Sequence, residues 1–182
     1  MIILTVKPSK LKTMRKIGVI LSLFVLPILS FAQTDISRAE ALFIYNFSRL
    51  IEWPANYKSG PFVIGVLGNA PITEQLKTFT TGKQVGTQPI SIKNYGSAAE
   101  ISTCHILFIP FSETKYMPNI VSQLANKSTL IITEKNAAIQ EGSAINFVVI
   151  GDKLKFELSP GNAQKYNIKL SSKLNEMAYQ VY

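Results

Sequence analysis

The stretch from Ser37 to Pro54, which reads S-R-A-E-A-L-F-I-Y-N-F-S-R-L-I-E-W-P, organises the fold of this chain. Ser37 and Glu40 have the spacing of a capping box, in which a hydroxyl and a carboxylate satisfy free amide hydrogens at a helix start. Apolar residues then recur at three- and four-residue spacing, and Pro54 prevents continuation beyond Trp53. The sequence therefore predicts a helix that begins at Ser37 and ends by Trp53. Its apolar residues are Leu42, Phe43, Ile44, Tyr45, Phe47, Leu50 and Ile51.

This predicted helix is apolar over most of its circumference. Such a helix must be covered on more than one side, by a sheet on one face and by another helix, a dimer partner or a ligand on the other. Asn46 lies within the apolar face, where a buried amide needs partners for its donor and acceptor groups. We interpret Asn46 as satisfying a loop or a neighbouring backbone group, with contact to a ligand as the alternative.

The first residues have the composition of a secretory signal peptide. Five basic residues precede an apolar run from Ile17 to Leu29, which is followed by Ser30-Phe31-Ala32. The run is shorter than the roughly 20 apolar residues that a membrane span needs, and small residues follow where a signal peptidase cuts. We therefore predict a signal peptide over residues 1–32. Residues 33–182 would then form a single exported domain that is not inserted in the membrane.

The basic character of the chain is partly a property of this leader. The full sequence has 19 basic and 11 acidic residues and a net charge of +8, but five of the basic residues and none of the acidic ones lie before position 33. The remaining chain has a net charge of +3, and its lysines are scattered singly. Nucleic-acid binding requires clustered positive charge. The sequence therefore excludes a nucleic-acid partner.

Beyond Pro54, strand and helix patterns alternate. Near-continuous apolar runs predict buried strands at 62–67, 105–109 and 129–133. A strand at 90–93 is predicted to be peripheral, because the nearby proline would not be tolerated in a central strand. Helical spacing predicts helices at 72–79, 113–126 and 170–181. Residues 144–158 have the pattern of a hairpin turned by Gly151-Asp152. We predict a single-domain three-layer α/β sandwich, with a mostly parallel sheet, a C-terminal antiparallel hairpin at its edge and flanking helices.

Cys104 and His105 are the only cysteine and the only histidine in the sequence. Adjacent residues on a strand point to opposite faces, so these two cannot act together as nucleophile and base. One histidine and one cysteine also fall short of the four ligands that zinc usually takes. We interpret Cys104 as a core residue rather than a reactive thiol or a cross-link between two copies, and His105 as a hydrogen-bonded structural histidine.

No other pattern predicts catalysis. The serines lie outside any G-x-S-x-G nucleophile elbow. A paired-carboxylate site is not indicated because the candidate glutamates fall in separate predicted elements. The sequence therefore predicts no catalytic residue, metal or cofactor and a protein that is not an enzyme. The glutamates considered are Glu40, Glu52, Glu113, Glu134 and Glu157.

Four stretches together resemble the YfiR-like family of periplasmic proteins. They are A-L-F-I-Y-N-F-S-R-L-I-E-W-P at 41–54, F-V-I-G-V-L-G at 62–68, C-H-I-L-F-I at 104–109 and S-S-K-L-N-E-M-A at 171–178. The resemblance covers nearly all of residues 33–182. Tyr45-Asn46-Phe47 with Glu52-Trp53-Pro54 is its most specific part.

The resemblance implies a binding protein. Better-studied members are periplasmic homodimers that repress an inner-membrane diguanylate cyclase by binding its periplasmic portion, and release raises cyclic di-GMP and favours biofilm formation. Those members have additional cysteines and redox-sensitive disulfides. Because this chain has only Cys104 and cannot form a disulfide within itself, we do not expect the same redox switch in this protein.

Three other functions remain open at this point. One is an undetected hydrolase, which predicts that His105→Ala abolishes turnover of a substrate and leaves the fold intact. The protein could be a periplasmic small-molecule-binding protein, which predicts a pocket near Asn46, Trp53 and His105. It could also be an accessory subunit of an envelope sensor histidine kinase. For partner contact the candidates are Phe43, Trp53 and Met177, with burial in the core as the alternative for all three.

Overall fold

The computed structural model describes the backbone of residues 26–182 and the side chains from Asp35 onward. Residues 37–182 form one compact unit. Of the signal peptide predicted over residues 1–32, residues 1–25 lie outside the part of the chain that the structure describes. None of the described helices is both long and apolar enough to cross a bilayer. The described helices are α1 (Leu26–Ser48), α2 (Ile72–Thr80), α3 (Met117–Leu124), α4 (Pro160–Lys165) and α5 (Ser172–Met177).

The part of the chain from residue 26 onward contains ten strands, which form one large and one small sheet. The large sheet has eight strands in the order β10-β8-β7-β6-β5-β2-β4-β3, and the small one pairs β1 with β9. In the large sheet only the β3–β4 and β7–β8 pairs are antiparallel. The strands are β1 (Ile51–Glu52), β2 (Phe62–Leu67), β3 (Gln84–Val85), β4 (Gln88–Tyr95), β5 (Ile106–Ile109), β6 (Leu130–Thr133), β7 (Ile145–Ile150), β8 (Lys153–Leu158), β9 (Lys169–Leu170) and β10 (Gln180–Val181).

The predicted α/β sandwich is confirmed. Strand β2 leads through α2 to β4 on one side, whereas β5 leads through α3 to β6 on the other. Parallel crossovers are right-handed, so α2 and α3 lie on opposite faces of the sheet. The central strands β5 and β6 are buried at every position, as their continuous apolar runs predict.

Helix α1 differs from its predicted bounds at both ends. It begins at Leu26, so the predicted start at Ser37 is wrong: Ser37 lies inside the helix and is buried. It ends at Ser48, whose hydroxyl donates to the carbonyl of Tyr45 at 2.7 Å. The chain then enters β1, where Ile51 pairs with Leu170. Ile51 and Glu52 therefore belong to a strand and not to the helix.

The prediction that α1 is covered on two sides is confirmed within the chain itself. Phe47 is fully buried, and its ring lies 4.8 Å from Phe156 and 6.1 Å from Phe147, which pair with each other across β7 and β8. On another side of the helix, Tyr45 makes an edge contact with Phe79 of α2 at 5.5 Å. A sheet and a helix cover these two sides.

The C-terminal hairpin is present but does not form the sheet edge as predicted. Strand β10 adds in parallel to the outer side of β8, and the backbone N–H of Tyr179 donates to the carbonyl of Phe156 at 2.8 Å. The helix predicted over 170–181 is accordingly wrong in extent, since α5 ends at Met177 and leaves the following residues to the strand. Alternating polarity in β8 indicates only that one face of the strand is solvated. It does not show whether the backbone groups at the side of the strand are paired, and unpaired groups are what define a sheet edge.

Gly65 allows the ring of Tyr95 to lie against β2. A Cβ at this position would be 2.6 Å from a ring carbon of Tyr95, which is 1% exposed and hydrogen-bonds through its hydroxyl to Ser102 at 3.1 Å. A buried and tethered ring cannot move aside without cost. The glycine is therefore required by close packing.

We expect Gly65→Ala to destabilise the protein by about 1–3 kcal/mol because the added methyl overpacks the contact with Tyr95. The matched control is Gly161→Ala in helix α4, where the nearest atom to an added Cβ is 4.0 Å away. Urea unfolding of both variants measures the difference. Equal stability of the two variants would contradict the role assigned to Gly65.

Candidate functional site

A cavity of about 370 Å³ lies beside Trp53. Three separate segments form its walls: β1 with Trp53, the start of β2, and the tight turn between β3 and β4. Its apolar lining comes from Ile51, Trp53, Phe62 and Val85. The volume lies within the range of about 300–1,000 Å³ that is typical of small-molecule sites.

The polar side chains that line the cavity belong to Glu52, Lys58, Thr87 and Gln88. Lys58 Nζ and Glu52 Oε1 are 3.8 Å apart, and both side chains are mostly exposed. The Gln88 side-chain amide donates inward to the carbonyls of Tyr57 and Gly60, at 3.0 and 3.2 Å. These hydrogen bonds attach strand β4 to the loop that contains Lys58.

Trp53 is 5% exposed, and its indole N–H has no acceptor among the described residues. The ring meets Phe62 edge-on, with 5.0 Å between centroids. An unpaired buried donor costs about 1–3 kcal/mol. Trp53 therefore lines the cavity with an apolar ring, and its N–H is buried without an acceptor among the described residues.

His105 lies behind this wall as a structural histidine. Its Nδ1 accepts from the backbone N–H of Val63 at 3.0 Å, and its Nε2 donates to the carbonyl of Tyr57 at 2.8 Å. The imidazole stacks on Phe62 with 4.2 Å between centroids. Burial lowers the pKa of His105, against the opposing effect of the Tyr57 carbonyl, so the neutral tautomer with the proton on Nε2 is favoured.

Cys104 is a core residue in the structure, at 1% exposed. Its backbone carbonyl accepts from the hydroxyl of Thr129 at 2.6 Å. Burial raises the pKa of the thiol to about 11. A buried, protonated thiol is a poor nucleophile and is out of reach of a second copy.

The five residues predicted as contact candidates lie in different places. Trp53 lines the cavity, His105 supports it through Phe62, and Asn46 is half-buried in α1 and is not part of the cavity lining. Phe43 packs within the aromatic cluster, 5.9 Å from Phe156. Met177, at 41% exposed, ends helix α5.

Met177 belongs to an exposed apolar segment, here called the C-terminal apolar surface. Its other members are Tyr179, Val181 and Tyr182, each 48% exposed. Strand β10 carries these residues along the outer side of β8, where Lys155 Nζ lies 4.8 Å from the ring centre of Tyr179. A cluster of aromatic and aliphatic groups at a sheet edge is a typical protein contact surface.

A pair of carboxyl groups overturns the prediction that the glutamates stay apart. Glu40 of α1 is 3% exposed, and its carboxyl group lies close to that of Glu134, which follows β6. Glu134 in turn accepts from the backbone N–H of Phe111 at 2.9 Å. Desolvation, followed by the negative charge of Glu134, raises the pKa of Glu40 to about 9. The two glutamates do belong to separate elements, as predicted. They nevertheless meet, because α1 packs across the end of β6.

Among the residues that the structure describes, no group of three or more His, Cys, Asp or Glu side chains is arranged to hold a metal ion.

A second cavity of about 290 Å³ shares Ile51 and Glu52 with the first and is bordered by Arg49 and Lys169. Its lining has a higher polar proportion than that of the cavity beside Trp53.

Comparison with protein families identifies the chain. Residues 37–179 match the model of the YfiR/HmsC-like family, which covers almost all of the compact unit described above. The chain belongs to the YfiR/HmsC-like family. This family consists of periplasmic regulators of diguanylate cyclases and is regulatory rather than catalytic.

Similarity to curated proteins and to solved structures is limited. No curated protein matches the chain. Among solved structures, it is similar to an ABC domain in complex with L-Trp from Streptococcus pneumonia, with a TM-score of 0.49 and 15% sequence identity. The alignment covers 66% of this chain, and the chain spans only 55% of that structure.

Proposed function

We propose that this protein represses an inner-membrane diguanylate cyclase by binding the periplasmic portion of the enzyme. In this proposal, release of the protein raises cyclic di-GMP and favours biofilm formation. The observation that carries it is the family match over residues 37–179. Export by a signal peptide over residues 1–32 would bring the protein to the same compartment as its partner.

The structure supports this proposal through the C-terminal apolar surface. Met177 and Tyr179 are large, half-exposed side chains next to an edge strand, and residues of this kind are enriched at protein interfaces. Strand β10 leaves backbone groups on its outer side, which a partner can meet. We propose this surface as the contact with the cyclase, and we propose self-association into a homodimer as part of the same regulatory assembly.

The test is a crosslinked pull-down of residues 33–182 from the native envelope, with identification of the captured membrane proteins. Recovery of a membrane protein with a periplasmic domain and a diguanylate cyclase output is the expected result. Recovery of a sensor histidine kinase instead would identify the other envelope partner that the sequence leaves open. The mass of the purified protein in solution tests the homodimer.

Two variants locate the contact. We expect Met177→Glu to remain folded and to reduce capture of the cyclase at least tenfold, because a charge at an apolar contact must be desolvated. The matched control is Leu42→Glu, which places the same charge on an exposed side chain of α1 that is 44% exposed. Equal capture by Met177→Glu and the wild type would remove the C-terminal apolar surface from the proposal.

A further inference from the structure

We propose that the tip of the β7–β8 hairpin docks on the surface of a lipid bilayer that carries anionic headgroups. The hairpin tip is defined here as residues 148–155. The contact is peripheral: the tip reaches the boundary between headgroups and acyl chains and does not cross the membrane. This inference goes beyond the proposed binding of a cyclase and does not rest on it.

The hairpin tip extends beyond the rest of the sheet. Strand β6 pairs with β7 only at Ile145 and Asn146, and β10 pairs with β8 only at Glu157 and Leu158. Residues 147–156 therefore pair only with one another, as a two-stranded ribbon. A ribbon without a neighbouring strand on either side leaves its end open to the surroundings of the protein.

Aliphatic side chains lie on both faces of the tip. Val149 is 55% exposed and Ile150 is 39% exposed. Neighbouring residues of a strand point to opposite faces, so neither face of the ribbon is covered at this point. Surface connections are normally polar, and a run of apolar residues that is exposed there indicates a contact with an apolar partner or phase.

The turn itself follows from backbone geometry. Gly151 has a φ of +47° and Asp152 has a φ of +49°. Positive φ at both central positions belongs to a type I′ turn, which favours glycine and aspartate. The aspartate is therefore explained by the turn, whereas the turn places no such demand on Val149 and Ile150.

The charge of the tip favours an anionic surface. Lys153 and Lys155 carry two positive charges against the one negative charge of Asp152, which leaves a net charge of +1. Neither lysine forms an ion pair with a carboxylate among the described residues. Lysine side chains lay their stems along apolar surface and keep their ammonium groups at the level of the lipid headgroups.

The residue types favour lipid over a pocket in a protein. Tryptophan, tyrosine and arginine contribute most of the binding energy at protein interfaces, and valine is under-represented there. The hairpin tip contains none of these three types and combines aliphatic residues with lysines. The C-terminal apolar surface has the opposite character, since it contains Tyr179 and Tyr182.

The test places a fluorescent label at the tip. Cys104 is buried, so a cysteine introduced by Val149→Cys reacts selectively with an environment-sensitive dye. Labelled residues 33–182 are mixed with vesicles of phosphatidylethanolamine and phosphatidylglycerol, or with vesicles of phosphatidylcholine alone. We expect the emission to move to shorter wavelength as anionic lipid is added, and to move less with neutral lipid. The same label at Leu42→Cys, on an exposed position of α1, should show no change.

Cosedimentation with the same vesicles measures binding without a label. We expect the double variant Val149→Ser with Ile150→Ser to weaken binding about tenfold, because the tip loses the apolar surface that it buries. Lys153→Gln should weaken binding to the anionic vesicles about fivefold. The matched control, Leu42→Ser, removes a similar apolar side chain from α1 and should bind like the wild type. Urea unfolding checks that each variant is folded.

Three results would overturn the inference. They are no binding of the wild type to anionic vesicles at millimolar lipid, undiminished binding by the double serine variant, and equal shifts from labels at positions 42 and 149. A lower mass of the double variant in solution, without lipid binding by the wild type, would assign the tip to a second copy of the chain instead. The vesicles contain no protein, so failure of this inference and failure to capture a cyclase are distinguishable.

Discussion

Glu40→Gln is expected to stabilise the folded protein by about 3 kcal/mol at pH 7. In the native state the pKa of Glu40 is raised from 4.5 to about 9, first by desolvation and then by the charge of Glu134. The wild-type protein must therefore take up a proton on folding at neutral pH. A glutamine has the same shape and donates to Glu134 without that uptake.

The sign of the pH dependence is fixed by the raised pKa. Between about pH 4.5 and pH 9 the folded protein binds more protons at Glu40 than the unfolded chain, so wild-type stability falls as pH rises through this range. Below about pH 4.5 both states are protonated, and the advantage of the glutamine disappears. The difference in stability between variant and wild type should therefore grow from near zero to its full value as pH rises.

Urea unfolding at several pH values measures this difference, and a carbon NMR titration of the Glu40 carboxyl reports the pKa directly. Glu74→Gln is the control, because Glu74 is 75% exposed in its side chain and lies on the surface of α2. Glu134→Gln should retain part of the raised pKa of Glu40, since desolvation is its first cause. A Glu40→Gln variant that is less stable than wild type at pH 7 would refute the protonated carboxyl.

His105→Ala is expected to destabilise the protein by about 3–5 kcal/mol. The change leaves the backbone N–H of Val63 without a partner, removes one of the two donors to the carbonyl of Tyr57, and removes the ring that stacks on Phe62. His105→Asn keeps an acceptor near the Nδ1 position and should recover part of the loss. Urea unfolding of the two variants and the wild type provides the comparison.

The pH dependence at His105 has the opposite sign to that at Glu40. Burial lowers the folded-state pKa of His105 below 6.5, so the unfolded chain binds more protons just below this pH. Wild-type stability due to His105 is present above about pH 6.5 and is lost as pH falls toward the folded pKa. The difference in stability between the wild type and His105→Asn should shrink across this range. A difference that stays constant with pH would contradict the neutral buried imidazole.

Much of the fold could be predicted because local patterns and tertiary packing agree there. The continuous apolar runs of β2 and β5 predicted strands buried on both faces, and both strands lie in the middle of the sheet. The adjacency of Cys104 and His105 predicted separate, structural roles, and the structure buries the thiol and pairs both ring nitrogens.

The bounds of α1 and of the last helix could not be predicted in the same way. The apolar residues around Ile51 fit helical spacing, yet pairing with Leu170 makes them a strand. Residues after Met177 likewise fit a helix until β8 offers an open edge. Local spacing is compatible with both structures, and only a distant partner decides between them.

The cavity shows the same division. Trp53 and His105 were marked as candidates by their residue type, whereas Lys58, Val85 and Gln88 carry no signal in the sequence that associates them with Trp53. Asn46, which was expected near the same pocket, does not line it. A concave site built from three segments exists only when the chain is folded.

By itself the sequence determined the α/β class, the buried central strands, the lack of any disulfide within the chain and the family resemblance, because each depends on residue type or on spacing along one segment. The tertiary structure alone decided that Glu40 meets Glu134, that β10 extends the sheet beyond β8, and that a cavity opens beside Trp53. These features arise from groups far apart in the chain. Their energies depend on burial and on distances between side chains, which only the packed structure defines.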